Sequence, residues 1–293
     1  MRRPSVLVLA SIVLASCVSN DSETTTTTST TASTTIPTTT TTPRTTSTTR
    51  PPTSMESGVY FFFDGYPVEP GPYLVPVARV GDDEIDAVLT MLLEGVTDAE
   101  ATMGLSTAIP EGTHLLGVEV AEGVAAIDLS SKFDSGGGSL SVLGRVAQIV
   151  YTATRFDEID AVEFLIEGAP VDVLTGEGLI VDRPQTRADY TDLLPAILVE
   201  EPTWGSRVES RLDVFGLAIS GSGVVSYVVV DADGLIVAEG ETPVAHPGQR
   251  AEFGATVDLS SVPHPGEGSI IVFETGPDGT QLHVLEYPLT IGG

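Results

Sequence analysis

The segment Val59-Tyr60-Phe61-Phe62-Phe63 is an uninterrupted apolar and aromatic run that ends at the turn residues Asp64-Gly65. A continuous apolar run of this length, closed by turn residues, is typical of a buried strand. After a loop rich in proline and glycine, residues 74–79 predict a second strand. The first folded domain is therefore expected to start near residue 58.

Beyond these strands the apolar spacing becomes that of helices. Asp82 or Asp83 is expected to cap a first helix that Gly95 ends, with one apolar stripe formed by Ile85, Val88, Leu89, Leu92 and Leu93. A second helix is predicted at about 139–154, with Leu143, Val146, Ala147, Val150 and Tyr151 on one face. Residues 114–120 and 124–129 predict a hairpin, and 162–166 predict a closing strand. The order ββαββαβ predicts an α+β domain with two helices on one sheet.

From about residue 195 the pattern changes to short alternating segments separated by turn residues. Asp231-Ala232-Asp233-Gly234 and Gly276-Pro277-Asp278-Gly279 are typical hairpin turns. About seven strands in fewer than ~100 residues, without a helical stripe, predict an all-β sandwich. We therefore place the first folded domain at 58–194 and the second at 195–293.

Several segments of the first domain resemble, in order and spacing, the GerM-type (GerMN) domain of sporulation and spore-germination lipoproteins. They are the aromatic run 60–63, 74–79 (LVPVAR), 92–95 (LLEG), 106–113 (STAIPEGT), 123–130 (GVAAIDLS) and 148–152 (QIVYT). The resemblance covers residues 58 to about 170. It implies a compact α+β domain, related to ring-building modules of secretion-like assemblies, without a known catalytic centre.

The start of the second domain resembles the immunoglobulin-like domain of bacterial spore germination. The segments that carry this resemblance are 197–199, Pro202, 208–210, 215–218 and the Asp233-Gly234 turn. Arg211 departs from the family pattern, which often has proline after the serine. This module commonly follows a GerMN domain, so the resemblance implies a tandem arrangement.

The N-terminus has the three parts of an export signal in residues 1–17. Arg2 and Arg3 are basic, 6–14 form a short apolar run, and Leu14-Ala15-Ser16 precede Cys17. The run is shorter than the ~20 residues that span a bilayer, so it predicts a cleaved signal peptide. Because lipoprotein processing requires a cysteine at this position, Cys17 is the predicted lipidation site. The sequence thus predicts a membrane-anchored protein on the extracytoplasmic side.

Residues 18–57 form a segment rich in threonine and proline. Nineteen threonines lie between Thr24 and Thr53, and the segment contains almost no apolar residues. Such a segment cannot bury enough surface to offset its ordering entropy. It is predicted to be a disordered stalk that holds the folded part away from the membrane.

The predicted folded part is strongly acidic. The chain has 13 basic and 41 acidic residues and a net charge of −28. Four basic and three acidic residues precede Gly58, which leaves nine basic against 38 acidic residues. A surface this negative repels phosphate groups, so we expect no nucleic-acid partner.

The sequence contains no catalytic, cofactor-binding or metal-binding candidate, and no cofactor is expected. The four histidines, none at a metal-ligand spacing from another, are His114, His246, His264 and His283. Asp231-Ala232-Asp233-Gly234 begins like a calcium loop, but the later ligand positions do not follow. Residues 136–138 (GGG) lack the following lysine of a phosphate-binding loop and indicate a flexible connection.

Two functions remain from the sequence. The first is a non-catalytic interaction or scaffold protein of the cell envelope, with the membrane and another envelope protein as partners, in germination-like or envelope-signalling assemblies. The alternative is a cell-wall-active enzyme or a peptidoglycan-binding protein. The lack of a catalytic signature favours the first.

Overall fold

The first strand, β1 (Met55–Phe63), pairs antiparallel with β2 (Tyr73–Gly81) and with the short β3 (Leu105–Ser106). The computed structural model describes residues 55–65, 71–175 and 178–292. All side chains of residues 59–63 are at most 6% exposed. Both faces of β1 are therefore covered, which explains why its sequence is continuously apolar rather than alternating.

Two helices follow β2. α1 (Ile85–Glu94) buries Val88, Leu89 and Leu92 and ends at Gly95, as predicted. The predicted cap is wrong, because the residue before α1 is Glu84 and makes no side-chain cap. Asp83 instead accepts a hydrogen bond from Ser57 Oγ at 2.8 Å. The five-residue α2 (Asp98–Thr102) is too short to show an apolar stripe and is held by a capping box.

A second sheet has the order β4 (Leu115–Ala121), β5 (Val124–Leu129), β6 (Ala161–Ile166) and β7 (Ala169–Pro170). β5 and β6 are parallel because α3 (Ser139–Ala153) crosses between them. The predicted order of the main elements is present, but their strands form two sheets where one was expected. The reason is that α1 contacts both β1 and β4, and α3 contacts both β1 and β6, so each helix packs against both sheets.

A connecting region leads to the second half. It contains the two-stranded ladder of β8 (Val173–Leu174) and β9 (Leu179–Ile180) and the 3-10 helix Arg187–Leu193. Tyr190 and Leu193 of this helix are buried. The connection therefore contributes to the core.

The C-terminal half is a β-sandwich. Its strands are β10 (Ile197–Glu201), β11 (Arg207–Val208), β12 (Arg211–Ala218), β13 (Val224–Val230), β14 (Ile236–Pro243), β15 (Ala251–Asp258), β16 (Gly266–Thr275) and β17 (Gln281–Ile291). One sheet has the order β10-β12-β15 and the other β11-β17-β16-β13-β14. The predicted α+β fold class with an all-β C-terminal part is confirmed.

The loop between β10 and β11 joins the sandwich to the first sheet. Trp204 N donates to Pro76 O at 2.8 Å, and Ala78 N donates to Trp204 O at 2.9 Å, so Trp204 pairs with β2. The indole lies edge-on to Phe63, with ring centroids 4.5 Å apart, and is 5% exposed. The buried residues of both halves form one continuous cluster, and all of them belong to one compact unit, Arg50–Gly293.

Candidate binding surface

The one residue predicted to be modified, Cys17, lies outside the described residues, as do the rest of the signal sequence and most of the threonine-rich segment. Among the helices that the structure describes, none is long and apolar enough to cross a membrane. Anchoring through Cys17 therefore stays a prediction from the sequence.

The structure brings one histidine to the acidic turn that begins like a calcium loop. His264 Nδ1 lies 3.1 Å from Asp231 Oδ2 and 3.3 Å from Asp233 Oδ2. Asp231 Oδ1 accepts hydrogen bonds from the backbone N–H groups of Asp233 and Leu235. These contacts close the β13–β14 turn on itself. Within the ranges that the structure covers, no group of His, Cys, Asp and Glu is arranged to hold a metal ion.

The segment 148–152, which carries part of the family resemblance, completes the edge of β1. Gln148 Nε2 donates to Tyr60 O at 3.0 Å, and Thr152 Oγ1 accepts from Tyr60 N at 3.1 Å. Gln148 Oε1 also accepts from Ala108 N at 2.8 Å. Side chains of α3 thus replace a neighbouring strand where β3 is too short to pair with β1. A buried backbone polar group left unpaired is costly, which accounts for polar residues on a buried helix face.

A charged cluster lies at the junction of the two halves. Glu200 Oε1 accepts hydrogen bonds from Tyr60 Oη at 2.8 Å and from Arg187 Nη1. Arg187 Nε donates to Thr154 Oγ1 at 2.8 Å, and its guanidinium lies over the ring of Tyr151 at 5.0 Å. The cluster therefore links β1, α3, the 3-10 helix and β10.

The protonation states of this cluster fit a structural role. Burial raises the pKa of Tyr60 and raises the pKa of Tyr151 to about 12. Burial acts to lower the pKa of Arg187, but Tyr60 and Glu200 together raise it above its ordinary value. A general acid or base works best with a pKa near the operating pH, and these three groups do not titrate there.

An uncharged pocket of about 290 Å3 lies beside the N-terminal end of α3. Its lining residues are Phe62, Pro72, Ser106, Thr107, Ala108, Leu140, Ser141 and Leu193. Leu140 is 65% exposed, whereas Phe62 is 6% exposed and belongs to the core. An exposed apolar pocket is a common feature of binding sites, and this one occurs in a chain with a net charge of −28.

Gly144 allows Phe62 to lie under α3. A Cβ atom on Gly144 would come within 2.9 Å of the Phe62 ring and 3.2 Å of Ala108 Cβ. This pocket was not predicted from the sequence. Leu140 lies three residues before Leu143 and extends the predicted apolar stripe, but periodicity alone does not show that the first turn of α3 projects beyond the core.

The structure is thus an α+β domain joined to a β-sandwich, and comparisons with known families identify both parts. The Germane family, described as sporulation and spore germination, matches residues 58–172. The Gmad2 family, described as the immunoglobulin-like domain of bacterial spore germination, matches residues 196–281. These two matches, in this order, confirm the predicted resemblance to a GerM-type germination protein with a C-terminal immunoglobulin-like domain.

Solved structures similar to this chain include a protein described as a lipoprotein from Clostridium perfringens. It has 20% identity and a TM-score of 0.33, and the match covers 48% of this chain and 93% of that one. The tandem GerMN domains of the sporulation protein GerM from Bacillus subtilis have 15% identity and a TM-score of 0.40, and the match covers 72% of this chain and 63% of that one. The first GerMN domain of that protein has 19% identity and a TM-score of 0.36, and the match covers 46% of this chain and 100% of that one. No curated protein matches the sequence.

Proposed function

We propose that this chain is a lipid-anchored, extracytoplasmic, non-catalytic interaction protein whose Germane domain binds another envelope protein at the Leu140 pocket. The observation that carries the proposal is an uncharged pocket beside a leucine that is 65% exposed, on a strongly acidic chain. A large exposed apolar side chain beside a preformed pocket favours a partner that inserts an apolar group there.

The proposed anchor supports this function through proximity. Lipid on Cys17 would fix one end of the chain, and the threonine-rich segment would act as a tether. The tether would end before Met55 and not at residue 57 as predicted, because residues 55–57 pair with β2 as the first residues of β1. A flexible tether converts binding to a membrane neighbour into a reaction at high effective concentration. A pocket with low intrinsic affinity for the partner then suffices for stable association.

The charge of the chain restricts the partner. With a net charge of −28, the protein repels acidic surfaces and attracts basic ones. We therefore expect a neutral or basic contact surface around the inserted apolar group. Association should weaken as salt is added, because exposed charges are screened.

Replacing Leu140 with glutamate should abolish this association without unfolding the protein. Leu140 is exposed and is the second residue of α3, where a negative charge fits the helix dipole. The matched control is Ile236→Glu, since Ile236 is 61% exposed but lies on β14 of the sandwich. The measurement is crosslinking of the full-length chain in intact cells, followed by mass spectrometry.

One envelope protein should crosslink reproducibly to the wild type and to Ile236→Glu, and be lost with Leu140→Glu. A partner retained by Leu140→Glu would place the contact elsewhere. Recovery of peptidoglycan fragments alone would favour the wall-binding alternative. Peptidoglycan turnover by the purified protein would favour the enzymatic one.

Replacing Cys17 with alanine should release the protein from the membrane. Without the thiol, no diacylglyceryl group can be attached, and the remaining chain has no other cysteine. Membrane fractionation and gel mobility measure the effect. A Cys17→Ala protein that stays in the membrane fraction with unchanged mobility would rule out the lipid anchor.

A further inference from the structure

A second pocket, of about 410 Å3, opens where β1 meets the segment between the end of β10 and the start of β12. It shares no lining residue with the Leu140 pocket. Three of the chain's 13 basic residues line it: Arg155, Arg207 and Arg211. In a chain this poor in basic residues, arginine is enriched in this pocket, although carboxylates line it as well.

Two of the three arginines are already paired. Arg207 Nε lies 3.1 Å from Glu209 Oε1, and Arg211 Nη2 lies 2.7 Å from Asp213 Oδ1. Arg155 is half-buried, and across the described ranges no carboxylate lies within ion-pair distance of its guanidinium. A half-buried arginine without a carboxylate partner can still bind a planar anion, because two N–H groups of its guanidinium can donate to the two oxygens of a carboxylate.

The pocket also holds an unpaired carboxylate. Glu201, at the end of β10, makes no ion pair or side-chain hydrogen bond with the residues that the structure describes. Arg155 and Glu201 therefore line one pocket with opposite charges and do not bind each other. This arrangement fits a ligand that carries both charges and lies between the two side chains.

Ser206 carries an unsatisfied polar group. It lines the same pocket, is 5% exposed, and its buried Oγ has no hydrogen-bond partner in the described part of the chain. Buried hydroxyl groups are nearly always hydrogen-bonded, so this orphan marks a wall of the pocket whose packing leaves a polar group unsatisfied. Glycine at position 58 lets Thr203, another lining residue, pack closely, since a Cβ there would come within 2.7 Å of its side chain.

We propose that this pocket binds a short peptide with free termini, whose carboxylate contacts Arg155 and whose ammonium group contacts Glu201. The volume of about 410 Å3 is enough for two or three small residues. The site is independent of the proposed partner contact at Leu140.

The overall charge of the lining excludes a phosphate ligand. Four carboxylates face three arginines, namely Glu56, Glu201, Glu209 and Asp213. A dianion would be repelled by this excess of negative charge, whereas a zwitterion brings its own cation to Glu201. Recognition of both ends of the ligand is therefore the expected source of selectivity.

Isothermal titration calorimetry of the purified full-length protein with triglycine tests the proposal. N-acetyl-triglycine lacks the ammonium group and triglycinamide lacks the carboxylate, so each should bind at least about tenfold more weakly than triglycine. Acetylation should have no further effect in Glu201→Gln, and amidation should have none in Arg155→Gln. These combinations of a ligand change with a protein change form double-mutant cycles, which isolate the ammonium–Glu201 contact and the carboxylate–Arg155 contact.

Arg183→Gln is the matched control, because Arg183 is an exposed arginine paired with Asp189 outside this pocket, and it should bind triglycine as the wild type does. Leu140→Glu should also bind triglycine normally, which separates this site from the proposed partner contact. Absence of saturable triglycine binding up to about 10 mM would overturn the proposal. Equal affinity for all three peptides, or tighter binding of inorganic phosphate, would overturn it as well.

Discussion

Arg145→Met should lower the free energy of unfolding by about 2–3 kcal/mol, a large effect for one residue. Arg145 lies on α3 and is 1% exposed. Its Nη1 donates to Phe133 O at 2.6 Å and to Ser135 O at 3.1 Å, and its Nη2 donates to Gly136 O at 2.9 Å. Methionine fills similar space but removes the donor to the buried carbonyl group of Phe133 and to the part-buried carbonyl groups of Ser135 and Gly136. The unpaired buried carbonyl group is the main cost.

Urea unfolding followed by circular dichroism measures this loss. The control is Arg183→Met, whose ion pair with Asp189 is exposed and should contribute little to the free energy of unfolding. If Arg145→Met and Arg183→Met were equally mild, the carbonyl groups would have found other partners. The loop before α3 would then not depend on Arg145.

The conformation of the loop before α3 was not predicted from the sequence. The three glycines 136–138 predicted a flexible connection, but Gly136 and Gly137 hold defined positive φ angles of 60° and 88°. A Cβ on Gly137 would come within 2.5 Å of Arg145 Nη2. Gly137 therefore makes room for a buried guanidinium. Sequence shows that a turn is present, but not which distant side chain approaches it.

Regular elements were predictable because their signals are local. The apolar stripe of α3 and the run 59–63 follow from spacing, and α3 is observed at Ser139–Ala153 against a predicted 139–154. The two pockets were not predictable, because they depend on contacts between distant segments. Arg155 and Glu201 are ordinary surface-type residues in sequence, and only the packing of β1 against the β10–β11 loop places them in one pocket.

The same packing bears on the predicted boundary near residue 195. The sequence changes its pattern there, and the two family matches end and begin on either side of it. However, residues from both sides share one buried cluster. We therefore expect the two parts to unfold together.

Trp204→Ala should lower the free energy of unfolding by about 3–5 kcal/mol and weaken the coupling between the two parts. The indole is 5% exposed and packs on Phe63 from the first sheet, while its centroid lies 6.5 Å from that of Tyr287 in the sandwich. Removing it leaves a cavity between segments that are far apart in sequence. Phe215→Ala is the control, because Phe215 is 42% exposed and its truncation should lower the free energy of unfolding only slightly.

Since Trp204 is the only tryptophan, its fluorescence reports directly on this interface. In the wild type, the fluorescence transition in urea should coincide with the transition seen by far-ultraviolet circular dichroism, as two-state unfolding requires. In Trp204→Ala, circular dichroism should show an earlier and broader transition, because the two parts lose their shared core. Two separate transitions already present in the wild type would show that the Germane and immunoglobulin-like parts fold independently, and that Trp204 covers the interface without coupling it.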